Sequence, residues 1–305
     1  MQKNGFALAL TLWIVAIMSL VTALYLSYGK TVVQKTIKLH KKLEVTLEAE
    51  STIEILKFFA ATGYFANNRI INNTLSKEFK SFPNILKING DIHHWKNQKI
   101  LLEDSSAFVN VNDKEAFIKY LAYQDNNIKD NEGIIRDSMN DWLDFDDFSG
   151  LNGAEESFYQ RNKVVYSSRN ENYFSSVSEV FLIRGLNSYS SLEQEKLQEE
   201  LILLDYVSRN ILTMSIDRLG KVYHFTKTEL EQLSEARKEN SKFFIQLFNK
   251  FNMGNENYEL DGFKPSKILK MTVESSFQGI SKKITLLINF QAKRKHAFEV
   301  LEYKD

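Results

Sequence analysis

The chain has 305 residues, of which 43% are hydrophobic and 12% aromatic, so it can bury the core of one large or two modest domains. Its 39 basic and 39 acidic residues give a formal net charge of zero, so no overall field attracts nucleic acid or an anionic membrane surface. The absence of cysteine excludes disulfides, thiolate metal sites and cysteine nucleophiles.

The first predicted element is an apolar helix that follows a short polar leader, MQKNG. Residues 6–26 carry no charge, and at about 1.5 Å per helical residue this run crosses a hydrocarbon core of roughly 30 Å. A cleaved secretory signal is the main alternative, but its apolar region is usually only about 7–15 residues long. Here the run continues into a segment with apolar residues among Lys and Glu at helical spacing. The sequence predicts one helix over about residues 6–61, with its membrane-spanning part at 6–29.

The charges that flank the apolar run leave its orientation open. Basic residues are usually concentrated on the cytoplasmic side of a membrane anchor. In this chain Lys3 precedes the run, whereas several lysines from Lys30 to Lys42 follow it. Charge alone therefore does not decide which side of the membrane the rest of the chain occupies.

After residue 63 the pattern is mixed, with strand-like pieces around 85–92 and 100–111. Helical periodicity then dominates in FIKYL, EQEKLQEELILLDYVSRNIL and TELEQLSEARKENSKFFIQLFNKF. The last part, ILKMTVESSFQGISKKITLLINFQ, predicts two strands around a turn at Gln278 and Gly279. A helical block bracketed by strands indicates a helical insertion within an α/β domain.

Two segments of the helical block are similar to each other. FVNVNDKEAFIKYL and KVYHFTKTELEQL each predict a short extended piece followed by a capped helix. Asn112 with Glu115, and Thr226 with Glu229, have the spacing of a capping box. The similarity indicates two related lobes, unless it reflects only the general likeness of capped helices.

An acidic segment, RDSMNDWLDFDDFSGLNGAEESFYQ, is the most distinctive chemical feature. Its carboxylates crowd around two glycines: Asp137, Asp141, Asp144, Asp146, Asp147, Glu155 and Glu156. Such hard oxygen ligands on a turn suit Ca²⁺, which accepts irregular coordination. The segment is not an EF-hand, because Phe148 and Ser149 stand where that loop needs a ligand and a Gly. The alternative is that these side chains are merely solvated or cap helices.

Motifs for catalysis are absent from the sequence. The five histidines lack metal-ligand spacing, and the adjacent His93 and His94 would point to opposite faces of a strand. No Gly-x-Ser-x-Gly elbow or phosphate-binding Gly-rich loop occurs. We therefore expect a protein that is not an enzyme.

The leader and the helix after it resemble those of type IV pilins and pseudopilins. The resemblance implies that a prepilin peptidase cuts between Gly5 and Phe6 and methylates the new amino terminus. Most members have Glu as the fifth mature residue, where this chain has Leu10. An unpaired carboxylate within the membrane costs about 2.5–3.5 kcal/mol, and a subunit at the filament tip lacks the partner charge above it. Leu10 therefore fits a tip subunit, although it also fits an ordinary anchor helix.

Two further segments resemble the general secretion pathway protein K family, the large minor pseudopilins of type II secretion. DWLDFDDFSGLNGAEESFY is similar to the family's Asp-Trp-x-Asp-x-Asp and Gly-Ala-Glu signature. YSSRNENYFSSVSEVFLIRGL is similar to its Asn-containing turn and the Ser-x-Glu-Leu helix that follows. Ser176 and Glu179 also have capping-box spacing. A Leu in place of the membrane Glu is itself the family's pattern.

This resemblance implies an α+β, pilin-like fold, in which a long N-terminal helix packs on a small antiparallel sheet and a large α-helical domain interrupts it. The expected parts are the leader at 1–5, the transmembrane helix at 6–29, the pilin-like domain at 30–112 and 264–305, and the inserted helical domain at 113–263.

The same resemblance implies a function and partners. The chain would initiate and cap the pseudopilus at its tip, with I- and J-type minor pseudopilins, to support protein export. It would be a single-pass inner-membrane protein with a periplasmic C-terminal domain. Family members bind calcium, and the matching acidic positions are Asp144, Asp146, Asp147 and Glu155. The alternative is a tip subunit of a related type IV filament for DNA uptake or adhesion, although the acidic turn argues against nucleic acid.

Overall fold

The computed structural model describes residues 3–74, 81–163, 171–205, 208–253, 261–291 and 297–304. The helices are α1 (Lys3–Thr62), α2 (Lys114–Gln124), α3 (Asn126–Asp130), α4 (Glu132–Leu143), α5 (Glu156–Arg161), α6 (Ser191–Gln198), α7 (Ile216–Tyr223), α8 (Lys227–Glu239) and α9 (Ser241–Phe251), with 3₁₀ turns at Ser105–Ala107 and Val177–Leu182. The strands are β1 (Tyr64–Ala66), β2 (Arg69–Ile71), β3 (Ile85–Lys87), β4 (Asn89–Trp95), β5 (Gln98–Asp104), β6 (Val109–Asn110), β7 (Leu201–Ile202), β8 (Arg209–Asn210), β9 (Asp261–Gly262), β10 (Ile268–Phe277), β11 (Ile280–Asn289) and β12 (Glu299–Lys304).

Helix α1 has two parts with different environments. Its apolar side chains from Leu8 to Leu26 are exposed, and among the described residues α1 is the one helix long and apolar enough to cross a membrane. Its C-terminal part instead buries Ala49, Ile53 and Leu56 against the sheet. The predicted continuous helix is confirmed, with an exposed apolar front and a packed end.

A five-stranded antiparallel sheet in the order β12-β11-β10-β5-β4 packs on the end of α1. Alternate residues of its strands face the helix, as the two-residue period of a strand requires. The apolar residues of this face include Ile100 and Leu102 of β5, Leu269, Met271 and Val273 of β10, and Ile284, Leu286 and Ile288 of β11. The long helix on an antiparallel sheet is the predicted pilin-like arrangement.

The hairpin of β10 and β11 is the longest strand pairing in the described part of the chain, with Phe277 opposite Ile280 at its tight end. Gln278 and Gly279 between them have φ of 48° and 80°. Two successive left-handed residues match the twist of the flanking strands, which is why this turn favours Gly. The predicted hairpin and its turn residues are confirmed.

A second core lies in the region between β5 and β10. Its buried side chains come mainly from helices, with Phe117 and Tyr120 from α2, Trp142 from α4 and Phe244 and Phe248 from α9. The chain leaves the sheet at the end of β5 and returns at β10, and the two strands are neighbours with Asp104 opposite Leu269. The helical region therefore interrupts the sheet between two adjacent strands.

Asp104 is the centre of the polar contacts where the chain leaves the sheet. Its carboxylate accepts hydrogen bonds from the Ser266 amide (3.2 Å) and hydroxyl (2.5 Å) and from Asn210 Nδ2 (2.7 Å). It also accepts the Ser106 amide at 3.2 Å, which caps the 3₁₀ turn. One buried carboxylate thus joins the exit strand, the segment just before the returning strand and β8.

Two predicted features of the helical region differ from the structure. The segment EQEKLQEELILLDYVSRNIL is helical only over α6 and then forms β7 and β8, each of which pairs in parallel with a distant two-residue strand. KVY belongs to helix α7 rather than to an extended piece, and His224 ends that helix in the left-handed conformation (φ 57°). The backbone of Tyr206 and Val207 lies outside the described residues.

The predicted helix caps have mixed outcomes. Thr226 and Glu229 form the predicted capping box at the start of α8. At α2, however, the cap is Asp113, whose carboxylate accepts from the Ala116 amide, and not Asn112. Asn112 donates to the Leu204 carbonyl instead (2.9 Å), so its side chain ties the turn to a neighbouring segment.

Candidate functional site

The acidic segment begins on the last turn of α4 and continues into a loop. Asp141 lies within the helix and Asp144 is its C-cap, so the two are three residues apart and share one helix face. Asp141 is buried and Asp144 is half-buried. The helix end therefore directs both carboxylates toward the same side of the loop that follows.

Backbone amides of the loop fold back onto side chains of α4. Asp141 accepts the Gly150 amide at 3.0 Å, and Asp137 accepts the Asn152 amide at 3.0 Å. A Cβ on Gly153 would lie 1.8 Å from Asp141 Oδ2, a separation that no side chain can occupy. Gly153 is therefore required for the chain to pass Asp141 and bring Glu155 beside it.

Three carboxylates converge at this point: those of Asp141, Asp144 and Glu155, with one oxygen from each within 4.8 Å of the others. Calcium binds oxygens at about 2.3–2.6 Å, so oxygens on one ion lie up to roughly 5 Å apart. The spacing therefore allows all three residues to contact a single ion.

Several carboxylate oxygens of this cluster have no hydrogen-bond donor within the described part of the chain and could bind a cation. Glu155 is only 3% exposed, and neither of its carboxylate oxygens has a hydrogen-bond partner among the described residues. Oδ1 of Asp144 is buried and has no such partner either. Buried carboxylate oxygens without donors are costly unless a cation pairs with them. The arrangement fits a hard divalent ion such as Ca²⁺.

The electrostatics of the cluster also favour a bound cation. Burial, reinforced by the negative charges of Asp141 and Asp144, raises the pKa of Glu155 to about 7. Burial also raises the pKa values of Asp141 and Asp144 above their usual range. The carboxyls repel one another without a cation, so a bound Ca²⁺ would favour the ionised form of all three.

Of the four residues named from the sequence, the structure brings Asp144 and Glu155 together and adds Asp141 to them. Asp146 and Asp147 are exposed on the loop, and Asp146 accepts the Phe148 amide at 2.9 Å. Their part in calcium binding stays a prediction. The three-residue spacing of Asp141 and Asp144 places both on one face of α4, but it does not distinguish Asp141 from the other carboxylates of the segment.

The two family-like segments contact each other behind the acidic cluster. Trp142 Nε1 donates to Glu179 Oε1 at 2.9 Å, and the ring of Trp142 packs edge-on against Tyr159 with centroids 5.2 Å apart. Glu179 also accepts the Ser175 amide and hydroxyl, each at 2.7 Å. The predicted capping box of Ser176 and Glu179 is therefore wrong. The Glu179 carboxylate binds Ser175 and Trp142 instead of the Ser176 amide.

Arg184 joins the second segment to the loop. Its guanidinium donates to the carbonyls of Gly153 (2.9 Å) and Asn152 (3.2 Å) and stacks over Phe158. Its backbone amide donates to the Tyr159 hydroxyl at 3.2 Å. These contacts fix the backbone just before Glu155 and hold the cluster in place from behind.

The residues of the predicted leader lie at the start of α1. Gly5 and Phe6 are within the helix, and their side-chain environment lies outside the described part of the chain. Leu10 is 51% exposed on the apolar front of the helix. Its side chain is therefore open to lipid or to the helix of a neighbouring subunit.

The acidic segment lies in a region that is similar to a known protein family. Residues 101–196 match the family model described as "Type II secretion system (T2SS), protein K", which includes the whole candidate site. A search of curated proteins finds no match. The match covers the end of β5 and the first half of the helical region, where the signature residues make the contacts described above.

Among solved structures, a chain of the GspK-GspI-GspJ complex from the type 2 secretion system of enterotoxigenic Escherichia coli has the same fold. The TM-score is 0.50 at 15% sequence identity, and the match covers 89% of this chain and 98% of that one. At this identity the likeness establishes the fold. Together with the family match over residues 101–196, it makes the chain similar to GspK-type minor pseudopilins.

Proposed function

We propose that the chain stands at the tip of the type II secretion pseudopilus, where it initiates and caps assembly with I- and J-type minor pseudopilins in support of protein export. The role is structural, with no substrate turned over. The single-pass helix α1 anchors the chain in the inner membrane before assembly, and the sheet and the helical region are periplasmic. The matched structure is a complex of GspK with GspI and GspJ, which supports partners of the same two types here.

The main support for the tip position is Leu10. It lies on the exposed apolar front of α1 at the place where the pilin superfamily usually has Glu. That Glu pairs with the amino terminus of a neighbouring subunit, and without a pair it costs about 2.5–3.5 kcal/mol in the membrane. A subunit with Leu10 avoids this cost when no subunit lies above it. Its own amino terminus remains available to the Glu of the subunit below.

The amino terminus that this pairing needs would come from processing of the leader. Prepilin peptidase would cut between Gly5 and Phe6 and methylate the new terminus. Removal of residues 1–5, which include Lys3, leaves a helix whose front is uncharged up to Leu26. Such a helix can leave the bilayer with its neighbours as the filament grows.

Calcium would act as a structural ion in the helical region. Asp141, Asp144 and Glu155 would hold it, with Asp146 and Asp147 as further acidic groups nearby. The ion would cancel the mutual repulsion of the carboxylates and fix the loop to the end of α4. The buried oxygens of Glu155 without donors support this assignment.

The test of the tip role is assembly in vitro. Residues 30–305 are mixed with the soluble parts of the I- and J-type pseudopilins of the same system, and light scattering after gel filtration measures the mass. We expect a one-to-one-to-one complex. Repeating the measurement with calcium and with chelator shows whether the acidic cluster matters to assembly. Absence of a complex under both conditions would contradict the proposal.

A second test addresses Leu10 in the full-length protein. Leu10→Glu places a carboxylate in the membrane without a partner above it, so we expect secretion to fall while processing and membrane insertion continue. Leu12→Glu is the control for a misplaced charge on the same helix, because Leu12 is also exposed. Full secretion by Leu10→Glu would show that the missing Glu does not specify the position.

A further inference from the structure

The loop that follows the acidic cluster carries three large apolar side chains in solvent. Phe145 is 70% exposed, Phe148 is 85% exposed and Leu151 is 96% exposed. Scattered exposed apolar residues are normal, but three within seven consecutive residues on one short loop form a patch that usually marks an interaction site. None of the three contributes to either hydrophobic core.

Hydrogen bonds anchor the backbone of the loop that carries these side chains. Asp146 accepts the Phe148 amide, Asp141 accepts the Gly150 amide and Asp137 accepts the Asn152 amide, so the backbone is anchored at Phe148 and on both sides of Leu151. A loop whose backbone is already ordered loses less conformational entropy when a partner covers it. The apolar tips are therefore presented in advance of binding.

The charges around the tips indicate what can cover them. Asp146, Asp147 and Glu156 are exposed on the same segment. Asp137, Asp141, Asp144 and Glu155 add further negative charge, which one Ca²⁺ would only partly cancel. An anionic membrane surface would be repelled, whereas a protein surface with Lys or Arg would be attracted.

We propose that this loop docks into a protein partner through an apolar depression rimmed by basic side chains. Phe145, Phe148 and Leu151 would fill the depression, and Asp146 and Asp147 would face the rim. Buried aromatic anchors inside a charged rim are the usual centre of a protein interface. The interface is separate from α1, which serves assembly under the proposed function.

The experiment uses the full-length protein in cells that carry its own secretion system. A photoreactive benzoylphenylalanine replaces Phe148, and in a control strain it replaces Leu192, which is also exposed but lies on α6. After irradiation, mass spectrometry identifies the adduct and the residue attached to it. We expect a protein adduct from position 148, absent from position 192, at a site beside Lys or Arg.

Charge exchange then distinguishes a specific partner from an incidental neighbour. Asp146→Lys with Asp147→Lys should lower the adduct yield at least tenfold, and Glu substitutions of the basic residues mapped on the partner should restore it. An adduct to lipid, no adduct, or a yield indifferent to these charges would overturn the proposal.

A second variant tests the docking role separately from folding and from the tip role. Phe145→Ser, Phe148→Ser and Leu151→Ser together should leave thermal stability and calcium titration unchanged, because the three side chains pack against neither core. Its complex with the I- and J-type subunits is measured in parallel, so failure of the tip role is seen separately. Undiminished secretion by this variant would overturn the docking role.

Discussion

Glu155 offers a sharp test of the candidate calcium site, because its ionisation should destabilise the protein when no cation is bound. The change is Glu155→Gln, which keeps the size of the side chain and removes its charge. The folded state holds a proton on Glu155 up to a pKa of about 7, whereas the ordinary value is 4.5. The folded protein therefore binds the extra proton, and its stability falls as the pH rises from about 4.5 to about 7.

The magnitude follows from the two pKa values. At about 1.4 kcal/mol per pKa unit, the difference between 4.5 and about 7 corresponds to about 3 kcal/mol of lost stability above neutral pH. Glu155→Gln lacks this loss. For a folded region of this size, about 3 kcal/mol corresponds to roughly 6–12 °C in Tm. When the pH is raised from 4.5 to 8 in chelator, the Tm of the variant relative to that of the wild type should therefore rise by roughly 6–12 °C.

Calcium should remove most of the stability difference between the two proteins above neutral pH. At a calcium concentration of 100 times Kd, binding stabilises the wild type by about 2.7 kcal/mol, and Glu155→Gln should lose most of this gain. The assay is thermal unfolding of residues 30–305, followed by circular dichroism at both pH values with calcium and with chelator. Glu156→Gln is the matched control, because the neighbouring carboxylate is exposed. Parallel pH profiles of wild type and Glu155→Gln in chelator would refute the reasoning.

The remaining predictions concern the supports of the site and the attachment of the helical region. Gly153→Ala should lower calcium affinity at least tenfold in titration calorimetry, because its Cβ would displace Asp141; an unchanged affinity would show that Asp141 is not a ligand. Trp142→Phe should cost about 1–3 kcal/mol in urea unfolding, because it removes a hydrogen bond to buried Glu179. Asp104→Ala should cost about 2–4 kcal/mol, because it leaves several buried donors unpaired; a loss below about 1 kcal/mol would contradict its central position.

The parts of the fold that could be predicted from the sequence are those with long local patterns. Helix α1 is a continuous apolar and then amphipathic run, and the β10–β11 hairpin has alternating residues around Gln278 and Gly279. Both patterns extend over many residues, so chance matches are rare. Capping of α8 by Thr226 was predictable for a related reason, because the box is entirely local.

The features that sequence reasoning missed depend on distant contacts. β7 and β8 are two residues long, and each exists because a remote strand pairs with it in parallel. A segment rich in Leu, Glu and Gln has no local signal against a helix at that point. Similarly, Glu179 has the spacing of a helix cap, but the buried indole of Trp142 competes for its carboxylate. Tertiary partners decide these positions, and the local sequence does not encode them.

The candidate site could be predicted only in part from the sequence. Acidic density around glycines indicated a cation, and two of the carboxylates named from the sequence, Asp144 and Glu155, come together. The position of Asp141 beside them depends on the fold of the loop, because Gly150 and Gly153 pass over its carboxylate. Selection of ligands among many neighbouring carboxylates depends on how the loop folds back, and spacing along the chain does not fix this.

The pairing of β5 with β10 makes the helical region modular. Because Asp104 lies opposite Leu269, the two ends of that region are one strand spacing apart, about 4.8 Å. The helical region therefore connects β5 and β10 in the way that a hairpin turn connects two adjacent strands. The entropic cost of closing such a connection rises only slowly with its length. Replacement of the region by a short turn would leave the pairing geometry of the sheet intact. Through such a junction a protein can gain, enlarge or exchange an inserted domain while the sheet that carries it is unchanged.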